Sequence, residues 1–208
     1  MKKKNIVKII LVIVVLFLFY RFIYDGTVSM KSSLDNNIYK VRKGSDSQLR
    51  ADYLAFISAK LDIIVKSLKN NPMYINDPAV QRLVKNWESG VSIKETGLLE
   101  PDAAYVINKK YMSFCLQDSP YLGKLKTTSI EDTNLITYVG IHELSHIMSI
   151  STDHGEEFIK NFNFLLNYSK GLMFTNPFTN TTEPLYISLK SLKTADNFCG
   201  VKLENSIN

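Results

Sequence analysis

All three histidines of this 208-residue chain fall between positions 142 and 154. They stand in the run Ile141-His142-Glu143-Leu144-Ser145-His146, with His154 eight residues further on. A spacing of four puts His142 and His146 on one helix face with Cβ atoms roughly 5–6 Å apart, close enough to share an ion. Neutral imidazole binds zinc at roughly 2.0–2.1 Å, and a catalytic zinc takes three protein ligands and keeps a fourth position for water. Ser151, Thr152 and Asp153 offer a turn by which the chain doubles back, so His154 is the candidate third ligand. Glu143, beside the first ligand but rotated away from it, is the candidate general base. The chemistry this pattern suits is zinc-assisted hydrolysis of a peptide bond, with Glu143 taking the water proton and later passing a proton to the leaving amine.

A five-residue HExxH match also arises by chance, and a structural metal site or plain coincidence are the competing readings. Catalysis is favoured because the match falls on an otherwise apolar helix, a third histidine follows closely, and no histidine is used elsewhere. Two imidazoles and an unpartnered carboxylate inside a buried helix would cost on the order of several kcal/mol, an objection that a metal removes. Tyr186 or another tyrosine is a candidate oxyanion stabiliser, and the strand expected at 111–116 is a candidate edge for an extended peptide substrate.

The stretch His142-Glu143-Leu144-Ser145-His146 followed by His154-Gly155-Glu156-Glu157-Phe158 resembles the HELxH…HxxxF pattern of the WLM family of zinc metallopeptidases and their SprT-like and YgjP-like relatives, among the gluzincin-like minimal zincins. Residues 105–116, 134–166 and Pro184-Leu185-Tyr186 together are similar to WLM-type metallopeptidases of nucleocytoplasmic large DNA viruses. The resemblance spans roughly 50–200. It implies His142, His146 and His154 as zinc ligands and Glu143 as catalytic acid/base. The metzincin pattern does not fit, since Ser149 stands where it needs Gly and His154 comes two residues late. DNA-repair relatives carry basic DNA-binding surfaces. Here no nucleic-acid partner is expected, for reasons of charge.

The elements that must position these residues read as α+β, a minimal zincin with an HExxH helix and a small antiparallel sheet. Thr128 and Glu131 form a capping-box pair opening a helix through Leu135, Val139, Leu144 and Met148. Further helices are expected over 49–68, over 78–87 behind an Asp77-Pro78 start, and over 156–168. Short runs at 103–107 and 111–116, divided by Asn108, Lys109 and Lys110, predict one or two hairpins within 91–116, and 117–126 a loop. Cys115 and Cys199 could pair in an oxidising compartment, but packed thiols are the expectation.

The composition gives 25 basic against 20 acidic side chains, a net +5. Five of the basic residues (Lys2, Lys3, Lys4, Lys8 and Arg21) lie in 1–24, which holds no acid, so the remainder is formally neutral. The stretch from Ile6 to Tyr24 carries only Lys8 and Arg21 as charges and is long enough for an N-terminal transmembrane helix if those two snorkel to opposite interfaces. Tyr20 to Asp25 are too bulky or charged for a good signal-peptidase site, so an uncleaved anchor is favoured over a cleaved signal. The basic start puts the N-terminus in the cytosol and the C-terminal domain across the membrane. The expected organisation is an anchor at 1–24, a polar tether at 25–47 and a zinc peptidase domain at 48–208. A catalytically inactive structural or interaction module of a viral or organelle membrane is the alternative.

Overall fold

The computed structural model describes residues 3–23, 26–98, 100, 104–116, 130–188, 197–198 and 201–202. Five helices and a five-stranded sheet make up most of them. Helix α1 (Lys3–Ile23) leads to strands β1 (Thr27–Lys31) and β2 (Ile38–Arg42), helices α2 (Ser47–Lys69) and α3 (Pro78–Glu88), and strands β3 (Ser92–Glu95), β4 (Ala104–Ile107) and β5 (Tyr111–Phe114). Helices α4 (Ile130–Met148) and α5 (Glu156–Ser169) follow, then the short hairpins β6 (Met173–Thr175) with β7 (Thr182–Pro184) and β8 (Asn197–Phe198) with β9 (Val201–Lys202).

The expected helices at 49–68, 78–87 and 156–168 are present to within a residue or two. Asp77 caps α3 as its sequence foretells, its carboxylate accepting from the Ala79 and Val80 amides at 2.8 and 3.2 Å. The capping-box residue Thr128 and the loop expected at 117–126 lie outside the described residues.

The sheet runs β1-β2-β3-β5-β4, and it is mixed where an antiparallel sheet was expected. Hairpins β1–β2 and β4–β5 are antiparallel, while β2–β3 and β3–β5 pair in parallel. The physical reason is connection length: α2 and α3 form a long crossover that returns β3 beside β2 in the same direction. Asn108 and Lys109 take left-handed φ of 51° and 57°, the paired positive values of a tight hairpin turn. That hairpin leaves β4 on the sheet edge and β5 inside.

The tether expected at 25–47 is instead the β1–β2 hairpin, ordered by specific bonds. Asp52, buried on α2, accepts from the Ser32 hydroxyl at 2.8 Å, the Ser33 amide at 2.6 Å and the Ser33 hydroxyl at 2.9 Å. Asn36 sits at φ 63° in the turn. Val41 and Tyr39 point into the core, leaving Ile38 and Lys40 outside.

Helix α2 supplies the centre of that core through Leu54, Phe56, Ile57, Leu61, Ile64 and Leu68, all at most 1% exposed. Each such side chain contributes roughly 1.5–3 kcal/mol of transfer free energy. Helix α4 is buried on nearly every side, as its sequence foretells, and Gly140 lets it approach α2: a Cβ there would stand 3.2 Å from Leu61 Cδ2. Under the sheet, Glu95 is fully buried, bonded to the Arg50 guanidinium and accepting the Arg42 amide at 2.7 Å. Arg42 itself donates Nε to Thr96 O at 2.8 Å. This ion cluster ties β2, α2 and β3 together.

Cys115, 2% exposed, is disulfide-bonded, correcting the expectation of packed thiols. Cys199, the chain's other cysteine, lies outside the described residues. In α1 the side chains described, 6–20, are all exposed. Among the described residues no helix is long and apolar enough to cross a membrane.

Candidate metal centre

The site is built where α4 ends and the chain turns back into α5. The last carbonyls of a helix have no partner within it. At the end of α4 and in the two residues just past it, carbonyls are taken up by three side chains from two other elements. Asn86 on α3 donates to Ile147 O at 3.0 Å, Arg82 on α3 donates Nε to Met148 O at 2.7 Å, and Lys109 in the β4–β5 turn donates to Ser149 O and, at 2.9 Å, to Ile150 O. Cationic donors suit this negative end of the helix dipole. Arg82 also holds Glu157 at 2.9 Å, and the other Glu157 oxygen accepts the Ile150 amide at 2.9 Å. The turn over 149–155 is thus braced from both sides, and it delivers His154 back over α4.

His142, His146 and His154 come together as the sequence spacing foretells. Their candidate ligand nitrogens all lie within 4.8 Å of one another, and His142 Nε2 and His154 Nε2 are 3.1 Å apart. Two donors on one tetrahedral ion at roughly 2.0–2.1 Å each stand roughly 3.3 Å apart. The cluster fits a single metal ion. Phe158 on α5 is the shelf beneath it: its ring centroid lies 4.8, 4.4 and 4.7 Å from those of His142, His146 and His154. Phe162, one turn on, supports His142 at 5.2 Å. Behind them Asn161 donates to the buried Ser149 hydroxyl at 2.9 Å, locking α5 to the end of α4.

Burial sets the electrostatics. It depresses His142 to about 3 and His146 to about 4, helped by the neighbouring imidazoles and, at His146, by the Lys109 ammonium. These rings are held neutral, the form that ligates. Burial alone raises Glu143 to about 8. Its side chain is 4% exposed, and Oε2 has no hydrogen-bond partner among the described residues. A buried carboxylate oxygen without a partner costs free energy in a finished core. A cation beside it, or a polar ligand in the adjoining space, removes that cost and favours the charged form.

The adjoining space exists. A cavity of about 300 Å³ is lined by the three histidines, Glu143, the turn residues Asn108 and Lys109, and strand β4 at Ala104, Tyr105 and Val106. Among the described residues β4 is an edge of the sheet, and three of its four residues line this cavity. The expected edge at 111–116 is corrected accordingly: Tyr111–Phe114 pairs on both sides, with β3 and β4. Tyr186 is buried at 4% exposure and packed 6.4 Å from Tyr138, and it does not line the cavity. Sequence spacing missed Lys109, whose approach depends on a hairpin whose turn residues, Asn108 and Lys109, were visible but whose docking was not.

The chain is similar to an uncharacterized protein of Acanthamoeba polyphaga mimivirus, 28% identical over 173 residues that cover 79% of this chain and 82% of that protein. This links it to a viral protein. No family model matches the chain. No solved structure matches it.

Proposed function

We propose that the protein is a zinc-dependent peptidase of the WLM/SprT-like kind, held to a membrane by its N-terminal helix. The observation that carries this reading is the pairing of three convergent imidazoles with a buried, partnerless Glu143 oxygen in one cavity beside an edge strand. His142, His146 and His154 would hold the ion. Zinc bound there supplies Lewis-acid polarisation of a peptide carbonyl and a water of lowered pKa. Glu143 takes the water proton at Oε2, in surroundings where burial already makes its carboxyl a strong proton acceptor, and returns a proton to the departing amide nitrogen. The free edge of β4 pairs with the extended substrate backbone and sets the scissile bond over the histidines. Phe158 and Phe162 keep water and mobility away from the rear of the imidazoles.

Support for the anchor is the uninterrupted exposure of Ile6 to Tyr20, apolar apart from Lys8. Those residues alone cover roughly 22 Å of a roughly 30 Å hydrocarbon core. The disulfide at Cys115 suits a domain on the oxidising side.

Metal analysis and a peptide-library cleavage assay on the full chain test the reading. Glu143→Gln should keep zinc at full stoichiometry and lower hydrolysis by at least roughly 100-fold, the scale of a general base, while His146→Ala should lose both. Hydrolysis intact in Glu143→Gln sinks the mechanism. Zinc bound without hydrolysis of any peptide by the unaltered protein favours the interaction-module alternative.

A further inference from the structure

Lys109 is the one lining residue of the histidine cavity whose charge the metal site does not need. Its ammonium carries three donors. Two are engaged by the carbonyls of Ser149 and Ile150, neither of which carries a charge. No ion pair to Lys109 is found among the described residues, whereas Arg82 is paired with Glu157 at 2.9 Å and Lys94 with Glu100 at 2.6 Å. Asp153, close in sequence to the site, is occupied by the Ser151 hydroxyl at 2.7 Å and does not line the cavity. Among the described residues the one acid in the lining is Glu143, 4% exposed and committed by the proposed mechanism to the reacting water. Among the described residues, the approach to the histidines therefore presents a half-buried cation with no carboxylate at ion-pair distance, Glu157 acting on it only at longer range while paired with Arg82.

Position makes this cation useful. Lys109 sits in the turn that ends β4, so a strand laid along the free edge of β4 must pass it on one side of the scissile bond. A charge-assisted hydrogen bond from its ammonium to a carboxylate is stronger than the neutral backbone bonds along β4. That is enough to select among peptides that otherwise pair with β4 only through their backbones.

We infer that Lys109 is a specificity-determining residue that selects substrates bearing a carboxylate close to the scissile bond, an aspartate or glutamate side chain or the chain's own C-terminus. This deepens the peptidase reading and rests on it for the word substrate, but binding can be read without hydrolysis. The experiment uses the full-length, zinc-loaded Glu143→Gln protein, titrated by fluorescence anisotropy with matched short peptides: neutral and C-terminally amidated, the same with one glutamate moved through each position, and the neutral peptide with a free C-terminus. The expected result is binding tighter by about tenfold for a carboxylate at one position or at the terminus, which distinguishes the two sources, with an advantage that shrinks as salt is raised. Adding Lys109→Met should abolish the ratio, Lys109→Arg should keep most of it, and Lys109→Glu should transfer it to lysine-bearing peptides. The transfer separates recognition from a merely structural role at the end of α4, which charge reversal would weaken for every peptide alike. Equal affinity for acidic and neutral peptides, or an acidic preference undiminished in Lys109→Met, overturns the inference. Failure of the unaltered protein to cleave any peptide would count against the peptidase reading and leave this binding ratio as a separate result.

Discussion

Lys60 is 3% exposed, with its ammonium 3.2 Å from both Thr137 Oγ1 and Leu185 O and lying over the Phe56 and Phe174 rings at 4.9 and 5.4 Å. Burial lowers it to about 8, against a weaker opposing pull from Glu183. Below that pH it is charged in both folded and unfolded chains, and the full desolvation cost is present. Between about 8 and the ordinary lysine value of 10.5 the unfolded chain still binds the proton and the folded one does not, so stability rises with pH. The gain is on the order of 3 kcal/mol. Tyr39, raised by burial and by Asp35, acts in the opposite sense at higher pH, so the difference between proteins isolates Lys60. Denaturant midpoints measured from pH 7 to 10 should climb for the unaltered protein and stay flatter for Lys60→Met; parallel curves would show that the charge is not confined. At this scale the sequence was legible where spacing implies proximity: His142, His146 and His154 converge, and Glu143 lines the same cavity. Lys60, Glu95 and Lys109 were not, because a lysine or glutamate looks the same in a sequence whether water or a core surrounds it.

Among the elements, the turn between α4 and α5 decides whether two histidines become three. Its geometry depends on Arg82, which joins Met148 O to Glu157, and on Glu157, which holds the Ile150 amide. The ion pair itself, with side chains 26% and 36% exposed, is worth little. The bonds to the helix end matter more, because no other side chain among the described residues is shown donating to Met148 O. Outer partners that hold a ligand in place are worth about 10–100-fold in metal affinity. Arg82 acts through the turn, so Arg82→Leu should weaken zinc binding by about tenfold while costing about 1–2 kcal/mol in stability. Competition against a chelator reads the first and denaturant unfolding the second; unchanged zinc affinity would mean that His154 is placed by Phe158 and Asp153 alone. Helix positions were legible because apolar periodicity and the Asp77-Pro78 start are local signals. The β1–β2 hairpin was read as a tether because its turn is dense in Ser and Asn, whose partner is Asp52, a helix residue far along the chain. The parallel pairings were hidden for the same reason, since strand direction is fixed by a crossover and not by the strands' own residues.

At the scale of the whole molecule, correcting the tether changes what the anchor implies. Only residues 24–26 separate the end of α1 from β1, and β1 belongs to the same sheet as β4. At no more than about 3.6 Å per residue, Thr27 stays within roughly 14 Å of Ile23. Four inter-strand spacings of roughly 4.8 Å then separate β1 from β4. Were α1 to span a membrane as proposed, the histidine cavity would stay within a few tens of ångströms of the bilayer, and the side it occupies would be the property to establish. Asn180 reports it. It heads an Asn-Thr-Thr sequon in the exposed β6–β7 turn at φ 56°, whereas the sequon at Asn167 ends in Ser169, which is fully buried on α5. Expressed in eukaryotic cells, the full chain should carry an endoglycosidase-sensitive glycan that Asn180→Gln removes, with the N-terminus accessible from the cytosol. A chain that remains membrane-bound, carries no glycan, and becomes modified at a sequon introduced before Lys2 would have the reverse orientation. In that case Cys115 would face a reducing compartment, where its disulfide would not persist.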